Sequence, residues 1–293
     1  MNTHHDRLSI SFETIGNQVL HTAHWRAEAD TGKRPLLFFN GIGANLELAL
    51  VLGEMLPDRD VLMFDVPGVG ESPPPLLPYR PWQLARTARK LTERFGYYNL
   101  DVMGVSWGGV MAQQFAVQYR KRVKRLILAA TTTGVTMIPG RMVSLSKMTD
   151  PRRYADPDFM RSNFETLYGD EMEGGAHAHV KALKPPSTRG YLYQMLAFAG
   201  WSSLPFIRLL RMPALVLAGE RDSIVPMANA HILNFALPRS RLHVIDDGGH
   251  LFLVTRADET VPVIQDFLNE PEAVNISDID RHALRTSRAK SPS

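Results

Sequence analysis

The sequence predicts an α/β fold: a mostly parallel, doubly wound sheet that opens with an N-terminal hairpin and carries an inserted helical lid. Three observations predict it. Six short apolar runs, of the kind that suits strands covered on both faces, recur along the chain. Segments of helical hydrophobic period lie between several of them, and one long interval shows no strand pattern. Alternation of strand with helix is what a doubly wound parallel sheet requires.

At the start, Leu8, Ile10 and Phe12 alternate with polar residues, Gly16-Asn17 is a turn signal, and Val19 to Trp25 reads as a second strand. This is the hairpin. The apolar runs follow at Pro35 to Phe39, Val61 to Phe64, Leu100 to Met103, Leu126 to Ala129, Ala214 to Leu217 and Leu242 to Ile245. Leu84, Ala88, Leu91 and Phe95 share one helical face, as do Met111, Phe115 and Tyr119, and later Val261, Ile264 and Phe267. Residues 1–133 and 199–270 are therefore two parts of one core, 134–198 the lid, and 271–293 a polar tail expected to be mobile. The lid's Met142, Phe164, Tyr193, Met195 and Phe198 read either as core of the insertion or as the wall of an apolar channel.

The chain has no cysteine, which excludes disulfides, thiolate nucleophiles and cysteine metal sites. Its 33 Lys plus Arg stand against 30 Asp plus Glu, a surplus too small for a nucleic-acid surface. No signal-peptide pattern opens the chain, and no apolar run is long enough to span a bilayer. A cytoplasmic protein without a transmembrane segment is expected.

The chemistry is concentrated after the strands. Gly104-Val105-Ser106-Trp107-Gly108 is a G-x-S-x-G pattern between an apolar strand and an amphipathic helix, the setting of a nucleophile elbow. The plain alternative is a serine capping the helix. A serine nucleophile needs a base, a carboxylate to orient that base, and donors for an oxyanion. His250 follows the last strand in Asp246-Asp247-Gly248-Gly249-His250 and is the candidate base. Asp222, just after the strand Ala214 to Leu217, is the candidate acid, with Glu220 as a weaker rival and Asp246 and Asp247 as braces of the histidine loop. The loop Asn40-Gly41-Ile42-Gly43 follows the first strand of the alternating region, so the Ile42 and Trp107 N–H groups are the candidate oxyanion donors. His177 and His179 lack a third ligand and are read as surface residues. The glycine loop Asp65 to Ser72 completes no phosphate-binding pattern and is read as a tight turn. No cofactor or metal is implied.

Beyond the elbow, the wording NGIGANLEL (Asn40 to Leu48), DVPGVGES (Asp65 to Ser72), GVSWGG (Gly104 to Gly109), DPRRYADP (Asp150 to Pro157) and DDGGHLFLVTRA (Asp246 to Ala257) resembles the intracellular depolymerases of medium-chain-length polyhydroxyalkanoates, members of the α/β-hydrolase superfamily. The family's nucleophile falls on Ser106, its acid on Asp222 and its base on His250. The resemblance implies an α/β-hydrolase fold, ester hydrolysis through an acyl-enzyme, and an aliphatic polyester substrate met at the surface of a cytoplasmic granule. It implies no cofactor. Two departures stand out: Gly248-Gly249 replaces the family's single glycine before the histidine, and the tail beyond Leu268 shows no likeness. A hydrolase of small soluble esters or thioesters, and a non-catalytic ligand-binding or granule-coat protein, remain the alternatives.

Overall fold

A computed structural model describes residues 7–46, 50–148, 150, 152, 156–170 and 186–271. Among the described residues eight strands form one sheet: β1 (Leu8–Ile15), β2 (Gln18–Trp25), β3 (Leu36–Phe39), β4 (Val61–Phe64), β5 (Leu100–Val105), β6 (Val123–Ala129), β7 (Ala214–Gly219) and β8 (Ser240–Ile245). Their order across the sheet is β1-β2-β4-β3-β5-β6-β7-β8. The hairpin pairs Leu8 with Trp25 through to Ile15 with Gln18, leaving a two-residue loop. Gly16 takes its first position at φ 66°, a geometry glycine adopts without strain. β2 meets β4 antiparallel, and every later pairing is parallel.

The period of two along each buried strand divides the core. Leu37 and Phe39 face one layer, packed with α2 (Pro81–Arg94) and α3 (Trp107–Gln118), while Leu36 and Phe38 face the other, beside α1 (Leu50–Glu54). Pro81 opens α2, where the missing N–H costs no hydrogen bond, and Gln83 Oε1 accepts the Arg80 N–H at 2.7 Å to cap it.

Between β6 and β7 the described residues form helices α4 (Met142–Met148), α5 (Pro157–Tyr168) and α6 (Thr188–Phe198), then a short 3₁₀ turn at Ile207–Leu209. Where the sequence shows no strand pattern, the described residues hold these helices and one isolated bridge, Gly134 to Ser202. Met160, Phe164, Leu167 and Tyr168 of α5 pack with Ile224 and Val225 in a small core of their own. Tyr193 and Phe198 lean on the main core, whereas Met142 and Met195 are exposed. The apolar residues of this interval thus divide between packing and surface.

After β7 come α7 (Met227–Ala236), then α8 (Phe252–Thr255) and α9 (Ala257–Asn269) behind β8. The sequence pattern missed α7, and its burial explains why. Ala230 and Leu233 point inward while Phe235 on the same helix is 82% exposed, so apolar residues surround it and no stripe forms. No helix among the described residues is long and apolar enough to cross a membrane.

Candidate active site

β3, β5, β7 and β8 all run the same way, so the residues following them meet at one rim. Ser106 sits where β5 turns into α3, with φ 53° and ψ −121°. For a residue with a side chain this is strained backbone. It is held by three hydrogen bonds: Ser106 N–H to the Ala129 carbonyl at 2.9 Å, and Gly109 N–H and Thr131 Oγ1–H to the Ser106 carbonyl at 2.9 and 2.6 Å. The side chain makes no capping bond, so the helix-cap reading of Ser106 fails. Packing around the turn is too close for neighbouring side chains. A Cβ at Gly104 would lie 2.2 Å from the Gly108 carbonyl oxygen, and one at Gly108 would lie 2.0 Å from that of Phe39.

Asp222 and His250 follow neighbouring strands, about 4.8 Å apart in such sheets, and they are bonded. His250 Nδ1 lies 2.8 Å from Asp222 Oδ2. Because a carboxylate only accepts, the imidazole donates through Nδ1 and its Nε2 is left as acceptor in the neutral ring. The Ile224 and Val225 N–H groups donate to Asp222 Oδ1 at 2.9 and 2.8 Å, so both carboxylate oxygens are used. Glu220 instead accepts the Asp247 N–H at 3.1 Å, and Asp247 pairs with Arg221 at 2.6 Å. The rival acid and Asp247 brace the loop and do not touch the imidazole. Ser106 Oγ makes no hydrogen bond among the described residues.

The second glycine before His250 has a steric reason. A Cβ at Gly249 would lie 2.4 Å from both the Tyr168 carbonyl oxygen and the Asp170 nitrogen. Only glycine allows this approach to the end of α5.

On the opposite side, Gly41 comes beside Ser106: a Cβ there would lie 3.8 Å from that of the serine. The Ile42 N–H meets no backbone acceptor among the described residues, and the Trp107 N–H is the first of α3, which has no partner within a helix. The loop is held from α6. Gln194, fully buried, accepts the Gly43 N–H through Oε1 at 2.9 Å, and its carbonyl accepts Trp107 Nε1–H at 3.1 Å. The glycine loop after β4 is a turn, as its pattern implied. Asp65 closes it by accepting the Glu71 N–H at 3.1 Å, and it reaches the Leu46 N–H at 2.8 Å and His21 Nδ1 at 2.8 Å. Burial pushes its carboxyl above the usual range, against those donors.

Sequence reading missed Gln194 and Asp170. A signal existed for the first, a lone amide in the otherwise apolar turn Tyr191 to Phe198. Asp170 follows the αL glycine that ends α5 and carries only a turn signal. His4, His5, His177, His179 and His282 lie outside the described residues.

The family model of the alpha/beta hydrolase fold matches residues 34–173 and 170–257. The chain belongs to the α/β-hydrolase family. This hydrolase is 43% identical over 240 residues to a poly(3-hydroxyalkanoate) depolymerase of Ectopseudomonas oleovorans, covering 80% of this chain and 84% of that one. It is 26% identical to a 2-hydroxymuconate semialdehyde hydrolase of Pseudomonas sp. (strain CF600), over 83% and 89% of the two chains. Among solved structures, the enol-lactonase of Burkholderia xenovorans LB400 superposes with a TM-score of 0.72 at 21% identity, covering 89% of this hydrolase and all of that chain. The likeness to that enzyme is one of fold.

Proposed function

We propose that this hydrolase is a serine esterase that cleaves medium-chain-length poly(3-hydroxyalkanoate) through an acyl-enzyme on Ser106. His250 is the general base, Asp222 orients it, and the Ile42 and Trp107 N–H groups receive the oxyanion. The bond between His250 Nδ1 and Asp222, at the rim that holds the strained Ser106, carries the reading of the chemistry. The depolymerase relative carries the reading of the substrate class.

In this scheme Ser106 Oγ attacks an ester carbonyl while His250 Nε2 takes its proton. The scheme requires the hydrogen bond between Ser106 Oγ and His250 Nε2 to form in the substrate complex, where catalytic hydrogen bonds tighten. Asp222 stabilises the imidazolium without taking its proton. Each oxyanion donor is worth roughly 10²–10³ in rate. The imidazolium protonates the leaving alkoxide oxygen, and the neutral imidazole then activates a water that releases a 3-hydroxyalkanoic acid or oligomer and regenerates Ser106. The scheme needs no cofactor. Helices α4 to α6 act as the lid, with exposed apolar side chains such as Leu192 and Met195 suited to an aliphatic substrate at a cytoplasmic polyester granule.

The test compares hydrolysis of dispersed medium-chain and short-chain polyesters with that of a soluble ester. Ser106→Ala and His250→Ala should each lose activity by on the order of 10³-fold or more while keeping the fold. Unchanged hydrolysis by purified Ser106→Ala overturns the mechanism. Turnover of the soluble ester alone overturns the polyester assignment.

A further inference from the structure

The end of α5 has no part in the scheme above, yet it grips the His250 loop from both sides. The Tyr168 carbonyl accepts the His250 N–H at 2.6 Å. Asp170 Oδ1 accepts the Gly249 N–H at 2.7 Å and the Thr255 hydroxyl at 2.9 Å, and Oδ2 accepts the Leu251 N–H at 2.7 Å. The main-chain donors before and after the histidine therefore end on one carboxylate. Asp170 is buried, and burial pushes its carboxyl above the usual range against the donors that occupy both of its oxygens. The same segment holds the acid loop, because Ser223 Oγ–H donates to the Leu167 carbonyl at 2.7 Å.

We propose that Asp170 is a positioning residue for His250, fixing the backbone of residues 249–251 so that the imidazole, already held by Asp222, keeps its Nε2 in line with Ser106. The proposal rests on His250 being the base. It also gives the helical interval between β6 and β7 a direct hold on the catalytic geometry. Only a two-oxygen acceptor fits: an amide in its place turns an NH₂ toward one of the N–H donors.

Asp170→Asn is compared with wild type and His250→Ala on a soluble medium-chain ester, with kcat expressed per serine titrated to completion by a fluorophosphonate. A misplacement of about 1 Å can cost on the order of 10²-fold in rate, so Asp170→Asn should lower kcat per titrated site by roughly 10–100-fold. KM should stay within about twofold, since no substrate contact is removed. A brace with no bearing on the base would lower thermal stability and leave kcat per site at the wild-type value, which overturns the proposal. A rise in KM alone overturns it too. If Asp170→Asn does not fold, Thr255→Val decides, because it deletes one donor to the same carboxylate. A several-fold fall in its kcat at constant KM supports the proposal, and wild-type kcat overturns it. Substantial turnover by His250→Ala instead removes the reading on which the proposal rests.

Discussion

Ser106 joins the position of the candidate nucleophile to a backbone that its own residue type disfavours. Such conformations cost on the order of 1–3 kcal/mol and persist only where the surroundings over-determine them. Here that work falls to the Ala129 and Thr131 contacts and to the absence of side chains at Gly104 and Gly108. Gly108→Ala would press a methyl into the Phe39 carbonyl, and backbone cannot step aside as a flexible side chain does. We expect a loss of about 1–3 kcal/mol in urea unfolding, with ester turnover falling as the elbow shifts. Wild-type stability would show that the turn has slack. The elbow was legible in the sequence because all its requirements are local: strand, serine, flanking glycines and helix occupy one continuous stretch.

At the scale of elements, the parallel strands were legible because burial on both faces leaves an uninterrupted apolar run, as in Leu36–Phe39 and Val61–Phe64. Starts of strands were less so. Lys124 and Arg125 interrupt the opening of β6, and edge strand β8 begins with the half-exposed Ser240 and exposed Arg241. The pairing of Asp222 with His250 was readable from position after successive strands. Gln194 showed only as a lone amide among apolar residues and Asp170 only as a turn residue, because what they hold lies 151 and 79 residues away. Gln194 joins α6 to the loop of Ile42. Gln194→Leu keeps the volume but leaves the Gly43 N–H unpaired, which should cost about 1–3 kcal/mol of stability. If that loop supplies an oxyanion donor, kcat falls more than KM rises. A variant with unaltered kcat would separate α6 from the chemistry.

Across the whole molecule, the two ends of the parallel strands do different things. The carboxyl ends carry the candidate site, while the amino ends carry a buried charge cluster. Asp101 lies 3.1 Å from Arg34 Nε, 3.5 Å from Arg59 Nη1 and 3.9 Å from Arg125 Nη1, with Asp101, Arg59 and Arg125 all buried. Arg59 Nη2–H also donates to Asn269 Oδ1 at 2.7 Å, and Arg125 donates to the Glu270 carbonyl, fastening the end of α9. Breaking such a cluster strands buried guanidinium groups. Asp101→Asn should therefore cost about 3–5 kcal/mol in unfolding free energy while leaving kcat per titrated serine unchanged. A selective loss of kcat would mean that the two poles are coupled.

The order of the strands along the chain also sets a timetable for synthesis. β7 and β8 are the last strands among the described residues and together form one flank of the sheet, so the elbow and the Ile42 loop leave the ribosome on the order of ten seconds before Asp222 and His250. Until then, under the proposed scheme, the growing chain carries an unactivated hydroxyl. Under the proposed scheme it would spare the cell's own esters during that interval, and premature termination anywhere before His250 would yield fragments that are chemically harmless.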